Sequence, residues 1–239
     1  MLKRLVLPLA LFMASAAWAE PLTIRLCGLD RPFSPFVMPD GSGSFQKILA
    51  RVADPRGIVI EEEHTPWSRC LSRLETGETD AVFGAFLPQR LAFAAYPMAD
   101  GHPDTRRALA TVRFKVYRRR GDTVGWDGRT FQNLGDQTVA VQLGFSLITQ
   151  LRELGVAIDD SAPTTEQNLG KLVLNRVGAV VAMEDEAEPI LAKQFAGQIE
   201  SLPTPFQLTP LFLIVNRRFY ETHRSTLEEL WTAIGKARA

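Results

Sequence analysis

The feature that most restricts the fold is the alternation of short β-branched runs with an amphipathic segment between residues 58 and 84. Ile58-Val59-Ile60 is a β-branched run suited to a strand. Thr65-Pro66 supplies a capping residue followed by a proline at the first helical position, and Leu71 and Leu74 carry a helix to a stop at Gly77. Asp80-Ala81-Val82-Phe83-Gly84 is then a short buried strand. Strand, helix and strand in this order imply a parallel pair joined by a right-handed crossover. Upstream, residues 22–26 alternate as a strand and residues 28–32 read as a loop. Asp40-Gly41-Ser42-Gly43 marks a turn, and Phe45, Leu49 and Val52 recur at helical spacing until Gly57.

The pattern then recurs. An extended segment over residues 109–117 and a polar loop over 118–128 lead to a strand at 138–142. Helices are expected at 145–154 and 165–175, a buried strand at 179–183 and a further helix at 185–195. Residues 211–215 form a last strand before a C-terminal helix that carries Leu227, Leu230, Trp231 and Ile234. The chain therefore holds two α/β units of about 100 residues each. Each strand-to-helix loop lies at the carboxyl end of its sheet, where α/β proteins bind ligands, and two facing units make a cleft.

The first residues address the chain to export. Lys3 and Arg4 precede an apolar run over residues 5–17, and Ala17-Trp18-Ala19 is a signal-peptidase pattern that predicts cleavage after Ala19. The run is shorter than the roughly 20 apolar residues of a membrane-spanning helix. No cysteine follows Ala19, so lipid attachment is not expected. Outside the cytoplasm two cysteines usually pair, so Cys27 and Cys70 are expected to form a disulfide, although their spacing alone does not decide it. Neither has a His or Cys at metal-ligand spacing. The 27 basic and 27 acidic residues balance, which removes the basic excess that nucleic-acid binding needs.

Several residues could meet a ligand. The 138–142 strand runs into Gly144-Phe145-Ser146, where a glycine and a helix start can hold a carboxylate or phosphate; an ordinary strand-to-helix turn with a serine cap has the same sequence. Arg90 follows the strand that ends at Gly84, a position from which a guanidinium can grip a carboxylate; a surface arginine with no partner has the same sequence. Phe33, Phe36 and Trp67 fall on loops or helix starts, where aromatics wall pockets or join the core. Glu184 and Asp185 follow a buried strand and could receive an ammonium or stabilise a helix start. The three histidines have no metal spacing, and neither a GxSxG sequence nor a phosphate-cradling loop is present. Asp80 begins its strand and points away from the functional end. No enzyme, metal or cofactor is expected.

These residues together resemble the extracellular solute-binding protein family 3, the type II periplasmic solute-binding proteins that include the polar amino-acid receptors of ABC importers. The resemblance rests on Pro32-Phe33-Ser34-Pro35-Phe36, Asp40-Gly41, Pro66-Trp67-Ser68-Arg69-Cys70-Leu71 and Gly77-Glu78-Thr79-Asp80-Ala81. It continues through Arg90, Tyr96-Pro97, the strand-to-helix element at residues 139–146, Asn168-Leu169 and Arg176-Val177-Gly178-Ala179. The Pro-Trp-x-Arg-Cys-Leu segment is similar to a divergent branch whose members often carry an early cysteine, as Cys27 is here.

The resemblance implies two lobes, residues 20–113 with 206–239 and residues 114–205, each a mainly parallel sheet flanked by helices. Two crossover strands join them, and the hinge closes on a small polar solute. Arg90 would hold the ligand carboxylate, with Gly144 to Ser146 as its second-lobe partner. Phe33 or Phe36 would cover the ligand, and Glu184 or Asp185 would take its ammonium. The partner would be an ABC permease, or a membrane sensor if the same fold serves signalling, and the protein would be a periplasmic monomer. The fold also includes cyclohexadienyl dehydratases, but such an enzyme needs a general acid in the cleft, for which the sequence offers no candidate. Two departures from the family pattern stand out. Pro88 and Gln89 precede Arg90 in a shortened loop that lacks the usual Thr, and Gly178 replaces an acid.

Overall fold

The computed structural model describes residues 21–143, 145 and 147–238. The signal peptide expected over residues 1–19, with its cleavage after Ala19, and the candidate ligand residues Gly144 and Ser146 lie outside the described residues. The first α/β unit comprises β1 (Leu22–Leu29), α1 (Ser44–Ala53), β2 (Ile58–Thr65), α2 (Trp67–Thr76) and β3 (Ala81–Ala85). Two-residue strands β4 (Ala94–Ala95), β5 (Met98–Ala99) and β6 (His102–Pro103) lead into the long strand β7 (Ala110–Arg119). A small hairpin, β8 (Gly125–Trp126) with β9 (Phe131–Gln132), then precedes the second unit. That unit comprises β10 (Val139–Val141), α3 (Leu147–Glu153), β11 (Ile158–Asp159), α4 (Thr165–Val173), β12 (Ala179–Met183) and α5 (Glu184–Gln194). Strands β13 (Ile199–Ser201) and β14 (Gln207–Asn216) and helices α6 (Arg217–Thr222) and α7 (Arg224–Ala237) complete the chain.

One sheet runs through both units in the order β11-β10-β12-β7-β14-β3-β1-β2. It has a parallel trio at each end: β2, β1 and β3 in one unit, β11, β10 and β12 in the other. Between them, β7 and β14 are antiparallel to each other and to their outer neighbours, so the mainly parallel character belongs to each lobe and not to the junction. β14 meets β3 over residues 211–215, whereas β7 meets β12 over 114–117. Among the described residues, 111–113 and 208–210 pair only with each other, and this two-stranded stretch bridges the lobes. The architecture is two-lobed, with a parallel-sheet α/β unit on each side of the β7–β14 ribbon.

Alternation along the strands distributes the core to both faces. Ile24 and Leu26 of β1 pack with Phe45 and Leu49 of α1, and Trp231 of α7 is fully buried, its indole N–H donating to the Leu213 carbonyl at 2.9 Å. On the opposite face Cys27 packs with Cys70, Leu74 and Phe212, while Tyr117 packs with Leu169 and Leu172 in the second unit. Asp80, 3% exposed, accepts a forked pair of bonds from Arg25 at 2.6 and 2.9 Å at the amino end of β3, which fits its expected place away from the functional end.

Cys27 and Cys70 are bonded, with Cα atoms 5.5 Å apart, and the link ties β1 to the first turns of α2. The bond closes a loop of 43 residues, for which the chain-entropy model gives about 4 kcal/mol. Several boundaries differ from the sequence reading: β14 begins at Gln207 and not at residue 211, and the loop expected over residues 118–128 holds the end of β7 and strand β8. β1 continues past Leu26 to Leu29, because Cys27, Gly28 and Leu29 pair with Glu63, His64 and Thr65 of β2. Thr65 is the last residue of β2 and not the helix cap; Pro66, extended at ψ 142°, takes the cap position and α2 begins at Trp67.

Candidate functional site

Because β1, β2 and β3 are parallel, their carboxyl ends at Leu29, Thr65 and Ala85 lie at the same end of the first lobe. Trp67, Gly84 and Arg90 come together there. A side chain at Gly84 would place its Cβ 3.0 Å from Trp67 Cη2 and 3.1 Å from Ile214 Cδ1, so the glycine is what lets the indole lie across the strand end. The Arg90 guanidinium sits over the Trp67 ring at 5.3 Å, a cation–π contact. Its Nη1 donates to the Ala85 carbonyl at 2.9 Å. The Tyr96 hydroxyl stands beside the same carbonyl; burial raises its pKa and the nearby Arg90 opposes that shift. Among the described residues no carboxylate pairs with Arg90, so most of its N–H donors remain available to an anion.

The two loop phenylalanines are not equivalent. Phe36 is 7% exposed and stacks on Phe45 at 5.0 Å, which in turn meets Phe83 at 5.6 Å. Phe36 therefore belongs to the core, and Phe33, half-buried and 5.5 Å from it, is the one that reaches the surface. Gln46, which sequence reasoning passed over, pins this loop. Its amide accepts from the Met38 and Gly43 N–H groups at 2.9 and 3.0 Å and donates to the Met38 carbonyl and to Glu62. Burial pushes the Glu62 carboxyl above its ordinary pKa, with Gln46 and His64 acting against that shift.

In the second lobe the parallel strands β10 and β12 end at Val141 and Met183. Phe145, in the turn after β10, sets its ring edge-on to Phe114 at 5.7 Å. Glu184 opens α5 and pairs with Lys115 at 2.5 Å and Arg113 at 3.1 Å, both from β7. Lys115 chiefly holds its carboxyl below the ordinary range. Glu184 is thus already matched by two cations, whereas Asp185 is exposed.

Behind these lies a network that sequence reasoning missed, because its members come from three separate segments. The Thr165 hydroxyl, in a residue 1% exposed, is 2.9 Å from Glu186 and 3.2 Å from the Gln142 side chain. Burial pushes the Glu186 carboxyl up. A Glu186 that carries its proton can donate to Thr165 and free the threonine proton for Gln142, beside the strand-to-helix turn.

The structure thus brings Trp67, Gly84 and Arg90 together, sets Phe33 beside Phe36, and places Phe145, Glu184 and Asp185 across the bridging strands. No family model matches the chain, and no curated protein matches it by sequence. Solved structures do match its fold over nearly the whole length. The GluR0 ligand-binding core from Nostoc punctiforme, in complex with L-glutamate, has a TM-score of 0.65 at 16% identity, covering 90% of this chain and 93% of the other. The periplasmic VFT2 domain of Bordetella pertussis BvgS gives 0.63 at 17% identity, over 90% and 87% of the two chains. The L-cystine solute receptor of Neisseria gonorrhoeae, in its unliganded open conformation, gives 0.61 at 17%, over 91% and 87%. At these identities the likeness establishes the fold alone.

Proposed function

We propose that the chain is a periplasmic solute-binding protein that captures a small, carboxylate-bearing, amino-acid-like solute between two lobes and delivers it to an ABC permease. The observation that carries this reading is Arg90. A guanidinium held by the Ala85 carbonyl and the Trp67 ring, at the carboxyl end of β3 and without a protein carboxylate among the described residues, is arranged for an anionic ligand. The leader expected over residues 1–19 and the Cys27–Cys70 bond suit an exported protein. In this reading residues 20–113 with 206–239 form one lobe and 114–205 the other, and the lobes close on the solute.

The test is a thermal-shift screen of the mature protein against the L-amino acids, polyamines and small organic acids. A ligand that binds the folded state must raise the melting temperature. Stabilisation by at least one carboxylate-bearing compound is expected, and a folded sample that responds to none of them contradicts the proposal.

A signalling role has one observation in its favour, the likeness to the BvgS domain and to a histidine kinase sensor domain, the latter with a TM-score of 0.67 at 15% identity. Uptake of the radiolabelled ligand by cells with and without the gene separates the two. Unchanged uptake favours the sensor.

A further inference from the structure

The ribbon that joins the lobes keeps one face open, and the strand register says what shares that face. Directly opposed residues of an antiparallel pair project to the same side, and successive residues alternate. Gly84 opposes Phe212, and Arg113 opposes Leu208 on the same strand. Leu208, Phe212 and Ile214 alternate to one face of β14, so Arg113 lies on the face of Gly84. Trp67 packs there too, since a Cβ at Gly84 would meet its ring and Ile214. On this face Leu208 is 54% exposed and the Arg113 side chain 51%, whereas Val112, Phe114, Leu211 and Leu213 of the other face are buried. Ala85, whose carbonyl holds Arg90, opposes Leu211, three residues along β14 from Leu208. At about 3.4 Å per residue, Arg113 stands about 10 Å along the strand from the Arg90 anchor.

The charges around Arg113 do not balance within the ion pair. Lys115, on the same face of β7, meets Glu184 Oε1 at 2.5 Å, while Arg113 gives a single N–H to Oε2 at 3.1 Å. Lys115 alone matches the charge of Glu184 and is the main reason its carboxyl titrates low. Arg113 is thus a surplus cation, and Glu184 is its only side-chain partner among the described residues. The following acids of α5 are engaged elsewhere or open to solvent. Glu186 meets Thr165 at 2.9 Å, Glu188 meets the Tyr117 hydroxyl at 3.4 Å, and Asp185 is exposed. A guanidinium has five N–H donors in a planar fork that holds a carboxylate by two parallel bonds.

We propose that Arg113 is a second anion-binding residue of the cleft, holding an acidic group at the far end of a ligand whose first carboxylate lies at Arg90. The inference rests on the solute-binding reading and narrows it: the ligand is a short dicarboxylate or an acidic amino acid. Glu184 competes with that acidic group for Arg113, and Lys115 keeps Glu184 matched when the ligand takes Arg113 over.

The probes are two matched pairs, L-glutamate with L-glutamine and glutarate with pentanoate. They are titrated by calorimetry into wild type, Arg113→Gln, Arg113→Lys and Glu184→Gln, with the melting temperature of each ligand-free protein recorded alongside. Wild type should bind the diacid of at least one pair about tenfold or more tightly than its partner, the size of effect one charge-assisted hydrogen bond supplies. Arg113→Gln should shrink that preference to within about threefold, while Arg113→Lys keeps part of it. Glu184→Gln removes the competitor and should tighten glutarate about threefold or more. Ligand-free Arg113→Gln should melt within about 2 °C of wild type, because a half-exposed ion pair contributes little.

Wild type that binds L-glutamine as tightly as L-glutamate and pentanoate as tightly as glutarate overturns the subsite and leaves the binding function standing. Arg113→Gln that keeps the preference, or that weakens all four compounds by the same factor, overturns it as well. Wild type that binds none of the four also overturns it, and the broader carboxylate reading then stands or falls separately on the thermal-shift screen.

Discussion

Reduction of the Cys27–Cys70 bond gives the sharpest prediction that needs no ligand. The two cysteines are 2% and 0% exposed, and the bond joins a central residue of β1 to α2 across a sequence separation of 43. The chain-entropy model assigns such a loop about 4 kcal/mol, acting mainly on the unfolded chain. For a protein of this size each kcal/mol moves the melting temperature by about 2–4 °C, so the reduced protein should melt about 8–16 °C lower. The protein is reduced in denaturant, refolded with reductant present, and compared with the oxidised form by scanning calorimetry at neutral pH. Thiol titration should find no free thiol before reduction and two afterwards. Trp67 lies three residues before Cys70 in α2, so amide exchange should rise in residues 67–70 of the reduced form before it rises elsewhere. Two titrating thiols together with a fall of less than about 2 °C would refute the reasoning.

Other perturbations probe single contacts. Asn216 Nδ2 donates to the Leu74 carbonyl at 2.7 Å while its Oδ1 caps α6 at Phe219, so Asn216→Ala should cost about 2 kcal/mol by urea unfolding. Gly84→Ala would press on Trp67 and Ile214, so it should destabilise by about 1–3 kcal/mol and weaken any ligand that uses Arg90; an unchanged melting temperature counts against the close packing. Burial raises the Glu186 pKa, so this group favours the folded state at pH values below the ordinary glutamate range and loses that contribution as pH rises through its folded value. Glu186→Gln should therefore melt higher than wild type at pH 7, with the gap closing by about pH 4. Glu184 has the opposite sign. Its depressed pKa stabilises the fold above the ordinary range, so Glu184→Gln should melt lower at pH 7 and the difference should fade as pH drops through the folded value.

The alternation of residues 58–84 carried enough information for the first lobe, because a βα unit there has one workable arrangement. Residues 179–183 proved to be β12 to the residue, since a fully apolar run bounded by Gly178 and acids has one natural reading. Strands whose existence depends on a neighbour were not legible. Gly28 looks like a loop residue but pairs with His64, and β11 and β13 are too short to show any periodicity.

The site follows the same division. Arg90 and Trp67 could be singled out from their places after strands, yet their stacking depends on Gly84, which a sequence shows only as a small residue. Phe33 and Phe36 were interchangeable in the sequence, and only the stack with Phe45 and Phe83 assigns Phe36 to the core. Glu184 read equally as a ligand acid or a helix-start residue, because Lys115 and Arg113, some 70 residues away in the chain, could not be seen beside it. Gln142, Thr165 and Glu186 likewise carry no local signature, since their relation arises only when β10, α4 and α5 assemble.

The central claim is that Arg90 holds the carboxylate of a solute bound between the lobes. The direct measurement is calorimetric titration of wild type and Arg90→Ala with the most stabilising carboxylate compound from the thermal-shift screen. The account predicts an affinity loss of at least about 30-fold, corresponding to about 2 kcal/mol for a charge-assisted pair. An Arg90→Ala protein that binds the same compound as tightly as wild type would contradict it.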